Sequence, residues 1–337
     1  MKILISSHAF PPSIGGIETV SALLATEFDR LGHTVTVVTQ TLADTADDFG
    51  YPVLRQPSVK ELCKAIRKCD LFWQNNLSLR TLWPALFMSK PVVITHQGSY
   101  CRAPSGIDLV QRLKHAIVGQ TTSVAISEAV AACFATDSTV IHNPYDARTF
   151  SFSAPSAERS ADLIFLGRLV SEKGVDILLR ALATLQTRGL FPSLTIVGAG
   201  PELSALQAMA VTLGLNDRVI FMGPKRDLEL AATLRRHKIL VVPSRYDEPF
   251  GVVALEGIAC GCVVAGSQGG GLSEAIGPCG LTFPNGDVNA LAQALESLLL
   301  APNEQERLLA QAPQHLAKFR PAAIAQAYLN LFHAKLS

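Results

Sequence analysis

A chain of 337 residues is long for one domain and comfortable for two. Its hydrophobic fraction of 48% is enough for substantial cores, while a formal net charge of +1 argues against a nucleic-acid-binding surface, which carries a basic excess. No apolar run approaches the ~20 residues that a membrane-spanning helix requires, and near-neutral charge offers no polybasic patch, so any bilayer contact is expected to be weak and peripheral. The N-terminus enters an apolar strand directly, without a basic region or small-residue cleavage site, so no signal peptide is expected. The seven cysteines are odd in number and scattered among apolar neighbours, which fits small buried thiols in a reducing cytoplasm better than a disulfide framework or a zinc site.

The elements follow in order. Lys2 to Ser7 reads as a strand, followed by a proline- and glycine-bearing loop ending in Gly15-Gly16 and a helix from about Ile17 to Leu31. Thr34 to Thr39 is the next strand, and the segment from Gln40 to Pro57 is polar and turn-rich. Val59 to Lys68 is predicted helical, Leu71 to Gln74 extended, Ser78 to Met88 helical, and Pro91 to Thr95 extended. Such alternation implies parallel βαβ units. His96 follows this last strand and is expected at the carboxyl edge of the sheet, where such sheets bind ligands. Residues 97–100 continue a polar loop, and Arg102 to Gly106 is expected to be an acceptor-side loop. Thr122 to Ile126 is a strand, with Ser127 as the N-cap of the next helix. Residues 151–160, rich in Ser, Ala and Pro, suit a linker.

A second alternation starts at Asp162 to Leu166 and runs through Arg168 and Lys173 into a helix from Val175 to about Thr187. Two cations ahead of a helix N-terminus form a phosphate site in prospect. Leu194 to Val197 and Val219 to Met222 are strands, each ending in a glycine loop, at Gly198 and Gly223. The decisive stretch begins with the apolar run Ile239 to Val242. A polar loop carries Glu248, and a helix from Gly251 carries Glu256 eight residues later. The amides of Phe250, Gly251 and Val252 lie at the start of that helix, where backbone N–H groups lack intrahelical partners. Glu256 sits among apolar neighbours and is therefore expected to have a partner. Gly261 to Ala265 is the next strand, and helices fill Val288 to Leu300, Glu304 to Gln311 and Pro321 to Leu336.

Glu248-Pro-Phe-Gly with Glu256, Gly167-Arg168-Leu169 with Lys173-Gly174, and the Gly15-Gly16 loop closely resemble the motifs of family 4 retaining glycosyltransferases. Val140-Ile141-His142-Asn143-Pro144 resembles the interdomain strand end of that family, with Pro144 where glycine is common. The resemblance implies the GT-B fold, two facing Rossmann-like α/β domains with parallel sheets and a cleft between them. They would span residues 1–152, joined by a returning helix at 320–337, and residues 153–319. It implies a metal-independent hexosyltransferase with a nucleotide sugar as co-substrate and no cofactor. The donor would be UDP-glucose or a similar UDP-hexose, a guanosine-diphosphate sugar being the other option, and the acceptor a glycan or lipid-linked glycan in polysaccharide biosynthesis. The setting would be cytoplasmic, at or near the inner face of the membrane.

The resemblance also assigns roles. Gly15, Gly16, Arg168 and Lys173 would hold the donor diphosphate, and Glu248 with the Phe250, Gly251 and Val252 amides would hold the sugar. Glu256 would take the ribose hydroxyls, and Gly198, Met222 and Lys225 would form the nucleobase slot. His96 and Glu248 are the catalytic candidates, with front-face attack favoured over a covalent Glu248 intermediate. The alternative is a sugar-nucleotide epimerase or hydrolase of the same fold, which would consume the donor without an acceptor. An NAD-dependent dehydrogenase fits the alternation but not the glycine spacing, because Leu203 stands where the third fingerprint glycine belongs.

Overall fold

The computed structural model describes every residue except 14, 44–47, 99–120, 135–137, 153–158 and 337. The chain forms two compact units, Met1–Asp146 with Phe319–Ser337, and Ala147–Lys318. The segment expected as the acceptor-side loop and most of the expected linker lie outside the described residues.

The first unit is built on seven parallel strands: β1 (Lys2–Ser7), β2 (Thr34–Thr39), β3 (Val53–Arg55), β4 (Leu71–Asn75), β5 (Val92–His96), β6 (Thr122–Ala125) and β7 (Thr139–Val140). Their order is β3-β2-β1-β4-β5-β6-β7, so the winding reverses between β1 and β4. The apolar residues of β1 fall on both faces because both are covered. Ile3 and Ile5 meet the helices Gly16–Arg30 and Pro321–Leu336, and Leu4 meets Val59–Lys68 and Leu79–Leu86. Trp73 anchors the first face, with its ring centroid 4.9 Å from Tyr328 and 5.8 Å from Phe28. Its indole N–H donates to Thr95 at 2.9 Å, and Thr95 meets the Tyr328 hydroxyl at 2.9 Å. The last helix of the chain therefore belongs to the core of the first unit. Strand β3 is three residues long and lies in a turn-rich segment whose composition does not announce it.

The second unit carries six parallel strands: β8 (Ala161–Leu166), β9 (Leu194–Val197), β10 (Val219–Gly223), β11 (His237–Val242), β12 (Val263–Ser267) and β13 (Gly280–Phe283). Their order, β10-β9-β8-β11-β12-β13, is the doubly wound Rossmann order, with its switch point between β8 and β11. The sequence places the start of β12 two residues early. Gly261, at φ 78°, and Cys262, whose N–H bonds the Gly257 carbonyl at 2.9 Å, close the preceding helix before the strand begins. The Cys262 thiol packs against the Leu234 and His237 carbonyls, and burial pushes its pKa up to about 12, which makes it an inert core group. Cys63, Cys69, Cys260, Cys262 and Cys279 are free thiols, but Cys133 is disulfide-bonded, contrary to the expectation of thiols throughout. Cysteine usage therefore no longer argues for a reducing compartment.

His237 begins β11 and is buried. Its Nδ1 faces the Thr233 carbonyl and its Nε2 the Thr195 hydroxyl, both at 2.8 Å. One ring nitrogen donates and the other accepts, the pattern of a neutral imidazole. Burial holds its pKa below the usual 6.5. The unfolded chain therefore binds the proton more readily at pH below 6.5, and stability falls as pH falls through that window. Thermal melts between pH 7.5 and 5 should show a shallower pH slope for His237→Gln than for the wild type. An unchanged slope would show that another group carries the dependence.

Candidate functional site

The switch point of the second sheet sets two loops side by side. One leaves β8 through Gly167-Arg168, makes a 3-10 turn at Ser171–Lys173, and enters the helix Val175–Thr187 through Gly174. The other leaves β11 at Pro243 and enters the helix Val252–Ala259 through Gly251, at φ 103°. They are tied together. The Arg245 N–H donates to the Glu172 carbonyl at 2.8 Å, the Arg245 guanidinium pairs with Asp176, and Gly174, at φ 67°, packs on the Pro243 carbonyl.

Within this junction Glu248 is the most enclosed charged group, 5% exposed. Its Oε1 accepts from the Lys173 ammonium at 2.6 Å and from the Ser244 hydroxyl at 2.5 Å. Its Oε2 accepts from the Tyr246 hydroxyl at 2.5 Å, which in turn accepts from Lys173 at 3.1 Å. Burial, reinforced by the neighbouring carboxylate, drives the Tyr246 pKa well above the ordinary phenol range, so it stays a donor. The carboxylate is thus held in one orientation by a cation and two hydroxyls, and the Lys173 ammonium also lies 5.1 Å from the Tyr246 ring centroid. The backbone of Glu248 is fixed as well. It forms a parallel bridge with Gly270, its carbonyl accepts from the Gly271 N–H at 2.7 Å, and a side chain at Gly270 would collide with that carbonyl. The glycine turn at 269–271 is further pinned by Asn285, which accepts from the Gly269 N–H at 2.9 Å and donates to Asp247 at 3.2 Å.

Burial falls differently from the sequence expectation. Glu248, read as the loop carboxylate, is the buried one, and Glu256, read as enclosed by apolar neighbours, is half-buried on its helix. The loop folds under the glycine turn, whereas the apolar neighbours of Glu256, such as Leu255 and Ile258, point to the core side of the helix. Phe250 has its ring in the core, while Gly251 and Val252 are half-buried at the helix start. Arg168 is exposed on the β8 loop and close enough for its charge to act on Tyr246. Ser244 and Tyr246 are the members of this cluster that sequence reading missed. Their signal was available only as hydroxyls two and four residues before a strand-end carboxylate.

Gly198 follows β9 and Met222 lies on the neighbouring edge strand β10, and the Gly198 N–H donates to the Gly223 carbonyl at 3.0 Å. Lys225 follows on the same loop, its ammonium 2.5 Å from Glu229 in a surface pair. In the first unit, Gly15 and Gly16 are exposed at the head of the helix Gly16–Arg30. The Glu18 carboxylate folds against Gly15 and accepts from Ser13 at 3.2 Å, so a phosphate bound there would displace a carboxylate. His96 is the last residue of β5 rather than the first of the loop. It is fully buried, with Nε2 3.0 Å from Ser123 and its ring 4.1 Å from Phe134. Next to it Gln97 donates to Asn75 at 2.7 Å and exchanges hydrogen bonds with Asn143, making a polar cluster at the carboxyl ends of β4 and β5.

Removing the Tyr246 hydroxyl tests the clamp. Tyr246→Phe keeps the ring under Lys173 but removes the hydroxyl that donates to Glu248 Oε2. Turnover in the assay proposed below is expected to fall about tenfold, the worth of roughly 1.4 kcal/mol, with the melting temperature lowered only slightly. Unchanged turnover would mean that Ser244 and Lys173 suffice to orient the carboxylate.

Two parallel α/β units of this kind are the GT-B architecture of glycosyltransferases. HepE of Anabaena, solved with UDP, superposes with a TM-score of 0.82 over 99% of this chain and 100% of its own, at 22% identity. The group 1 glycosyl transferase family matches residues 146–315, and the chain belongs to that family. Among relatives, a D-inositol 3-phosphate glycosyltransferase of Corynebacterium jeikeium is 38% identical over 177 residues, which is 50% of this chain and 42% of that protein. A glycogen synthase of Mycobacterium tuberculosis is 37% identical over 199 residues, 57% of this chain and 48% of that protein. The matched stretches thus span less than half the length of these curated relatives.

Proposed function

We propose that the chain transfers a hexose, with retention of anomeric configuration, from a UDP-hexose such as UDP-glucose to a glycan or lipid-linked acceptor. The observation that carries this reading is the Lys173–Glu248 pair, its carboxylate buried and its ammonium half-buried, clamped by Ser244 and Tyr246 between two strand-end loops. A cation suited to a diphosphate beside a carboxylate suited to sugar hydroxyls, ahead of a helix N-terminus, supports the reading. HepE, whose fold this chain shares, was also solved with UDP-glucose, at a TM-score of 0.78 and 21% identity.

In this mechanism Lys173 leaves its pairing with Glu248 when the donor arrives and, with Arg168, neutralises the departing diphosphate. Glu248 then accepts hydrogen bonds from the sugar. The acceptor hydroxyl forms its bond to the anomeric carbon on the face that the diphosphate leaves, and its proton passes to a phosphate oxygen of the leaving group. No metal is assigned to this step. Among the described residues no group of three or more His, Cys, Asp or Glu is arranged to hold one, and independence from metal is part of the proposal, tested with chelator. Gly15, Gly16 and His96 keep the roles given by the resemblance within the same proposal, as do Gly198, Met222 and Lys225 for the base.

The test is UDP release from UDP-glucose with and without simple glycan acceptors, in chelator and then in magnesium, with the anomer of the product read by NMR. An α-linked product formed only with acceptor, at equal rates in both buffers, is expected. Donor consumption without acceptor would favour the epimerase or hydrolase reading, and an inverted product would remove the front-face mechanism. Glu256→Ala is expected to weaken donor binding about tenfold through lost ribose contacts; unchanged affinity would remove that role.

A further inference from the structure

The helices Val59–Lys68 and Leu79–Leu86 form one layer on a single face of the first sheet, and their outer faces point to solvent. Leu62, Ile66, Leu82 and Ala85 seal the inner side. On the outer side Trp83 is 45% exposed, Leu86 41% and Phe87 84%, with the Trp83 and Phe87 rings 6.5 Å apart. Single exposed apolar residues are ordinary, but two aromatic rings and a leucine held together in water mark an interaction surface.

The neighbouring helix supplies the charge. Lys60, Lys64, Arg67 and Lys68 recur at helical spacing on its exposed side. Residues 58–90 hold six cations against two acids, a balance of +4 in a chain of net charge +1. Both acids are engaged locally, Glu61 in the capping box with Ser58 and Asp70 with the Lys2 N–H. Both helices connect parallel strands and run from the carboxyl to the amino edge of the sheet, so Arg67 and Lys68 end at the same edge as Leu86 and Phe87. Lys90 ties the two ends together by donating to the Cys69 carbonyl at 2.7 Å. The near-neutral total charge concealed this patch.

We infer that this layer docks on an anionic lipid bilayer, with Trp83, Leu86 and Phe87 entering the headgroup boundary and the Lys60-to-Lys68 row facing the lipid phosphates. Aromatic and aliphatic side chains beside a row of cations are what an interfacial surface requires; exposed rings beside cations also suit stacked bases, but the exposed aliphatic Leu86 beside them is an acyl-chain contact that base stacking does not use. The inference is independent of the proposed transferase reaction, because none of these residues belongs to its site.

The test is flotation of the full chain with vesicles of phosphatidylcholine, with or without about one-third phosphatidylglycerol, read together with tryptophan fluorescence. The chain has two tryptophans and Trp73 is fully buried, so a blue shift on vesicle addition reports Trp83. Binding to the anionic vesicles, a blue shift, and loss of both in Trp83→Ser/Phe87→Ser are expected. Arg67→Glu/Lys68→Glu should weaken partitioning about tenfold or more, and added salt should do the same. Unchanged UDP binding would show that both variants remain folded; were UDP binding absent altogether, coincident melting curves would serve. Equal binding to neutral vesicles, no binding, or binding without a Trp83 shift, as for a protein or polyanion site, would overturn the proposal.

Discussion

Lys173→Met is expected to lower turnover per bound donor by about a thousandfold, the scale seen when one charge-stabilising donor is removed from a reaction centre. The same change strands Glu248, whose side chain is 7% exposed, with only the hydroxyls of Ser244 and Tyr246. Breaking a buried ion pair costs roughly 3–5 kcal/mol, but Lys173 is 22% exposed, so about 2–3 kcal/mol is the reasonable share. At about 2–4 °C per kcal/mol the melting temperature should fall by roughly 4–12 °C. The double variant Lys173→Met/Glu248→Gln removes the stranded charge and should recover most of that stability without recovering turnover. Calorimetry and the UDP-release assay on the wild type and the two variants separate the two effects. Turnover of Lys173→Met within threefold of wild type would contradict the assigned role.

Gly174→Ala is expected to destabilise the second unit by about 3 kcal/mol or more and to cripple the site with it. Part of this is intrinsic, since a non-glycine residue at φ 67° costs roughly 1–2 kcal/mol. The rest is steric, because the new Cβ would collide with the Pro243 carbonyl and force apart the loops that carry Lys173 and Glu248. Gly214 supplies the control, with the same φ of 67° and open space around its Cβ position. Gly214→Ala should lose only the intrinsic share in thermal melts, and equal losses for the two variants would show that the loop junction tolerates separation.

Much of this architecture was legible in the sequence, for reasons that particular segments make clear. Val59–Lys68, Val175–Thr187 and Val288–Leu300 fall where periodicity put them, because each has a strong apolar stripe, and the first and last also open on a capping side chain, Ser58 and Asp287. Strand β3 was not legible, since three residues between turns carry no period. Strand order was invisible too, because no local pattern says that β11 lies beside β8, and it is this pairing that brings Lys173 to Glu248 across 75 residues of sequence. The charged members of the cluster were read from motif chemistry, but Ser244 and Tyr246 looked like ordinary loop polars until the fold turned them onto one carboxylate. Burial was misjudged at Glu248 and Glu256 for the same reason: enclosure of a loop residue is set by a distant segment, here the glycine turn at 269–271.

Isothermal titration of the intact chain with UDP-glucose, other UDP- and GDP-hexoses and NAD, first in chelator and then with magnesium, tests the central claim most directly. The account predicts a clear preference for one nucleotide sugar, undiminished by chelator and weakened, with binding still measurable, in Lys173→Met. Binding of NAD with no affinity for any nucleotide sugar would contradict it.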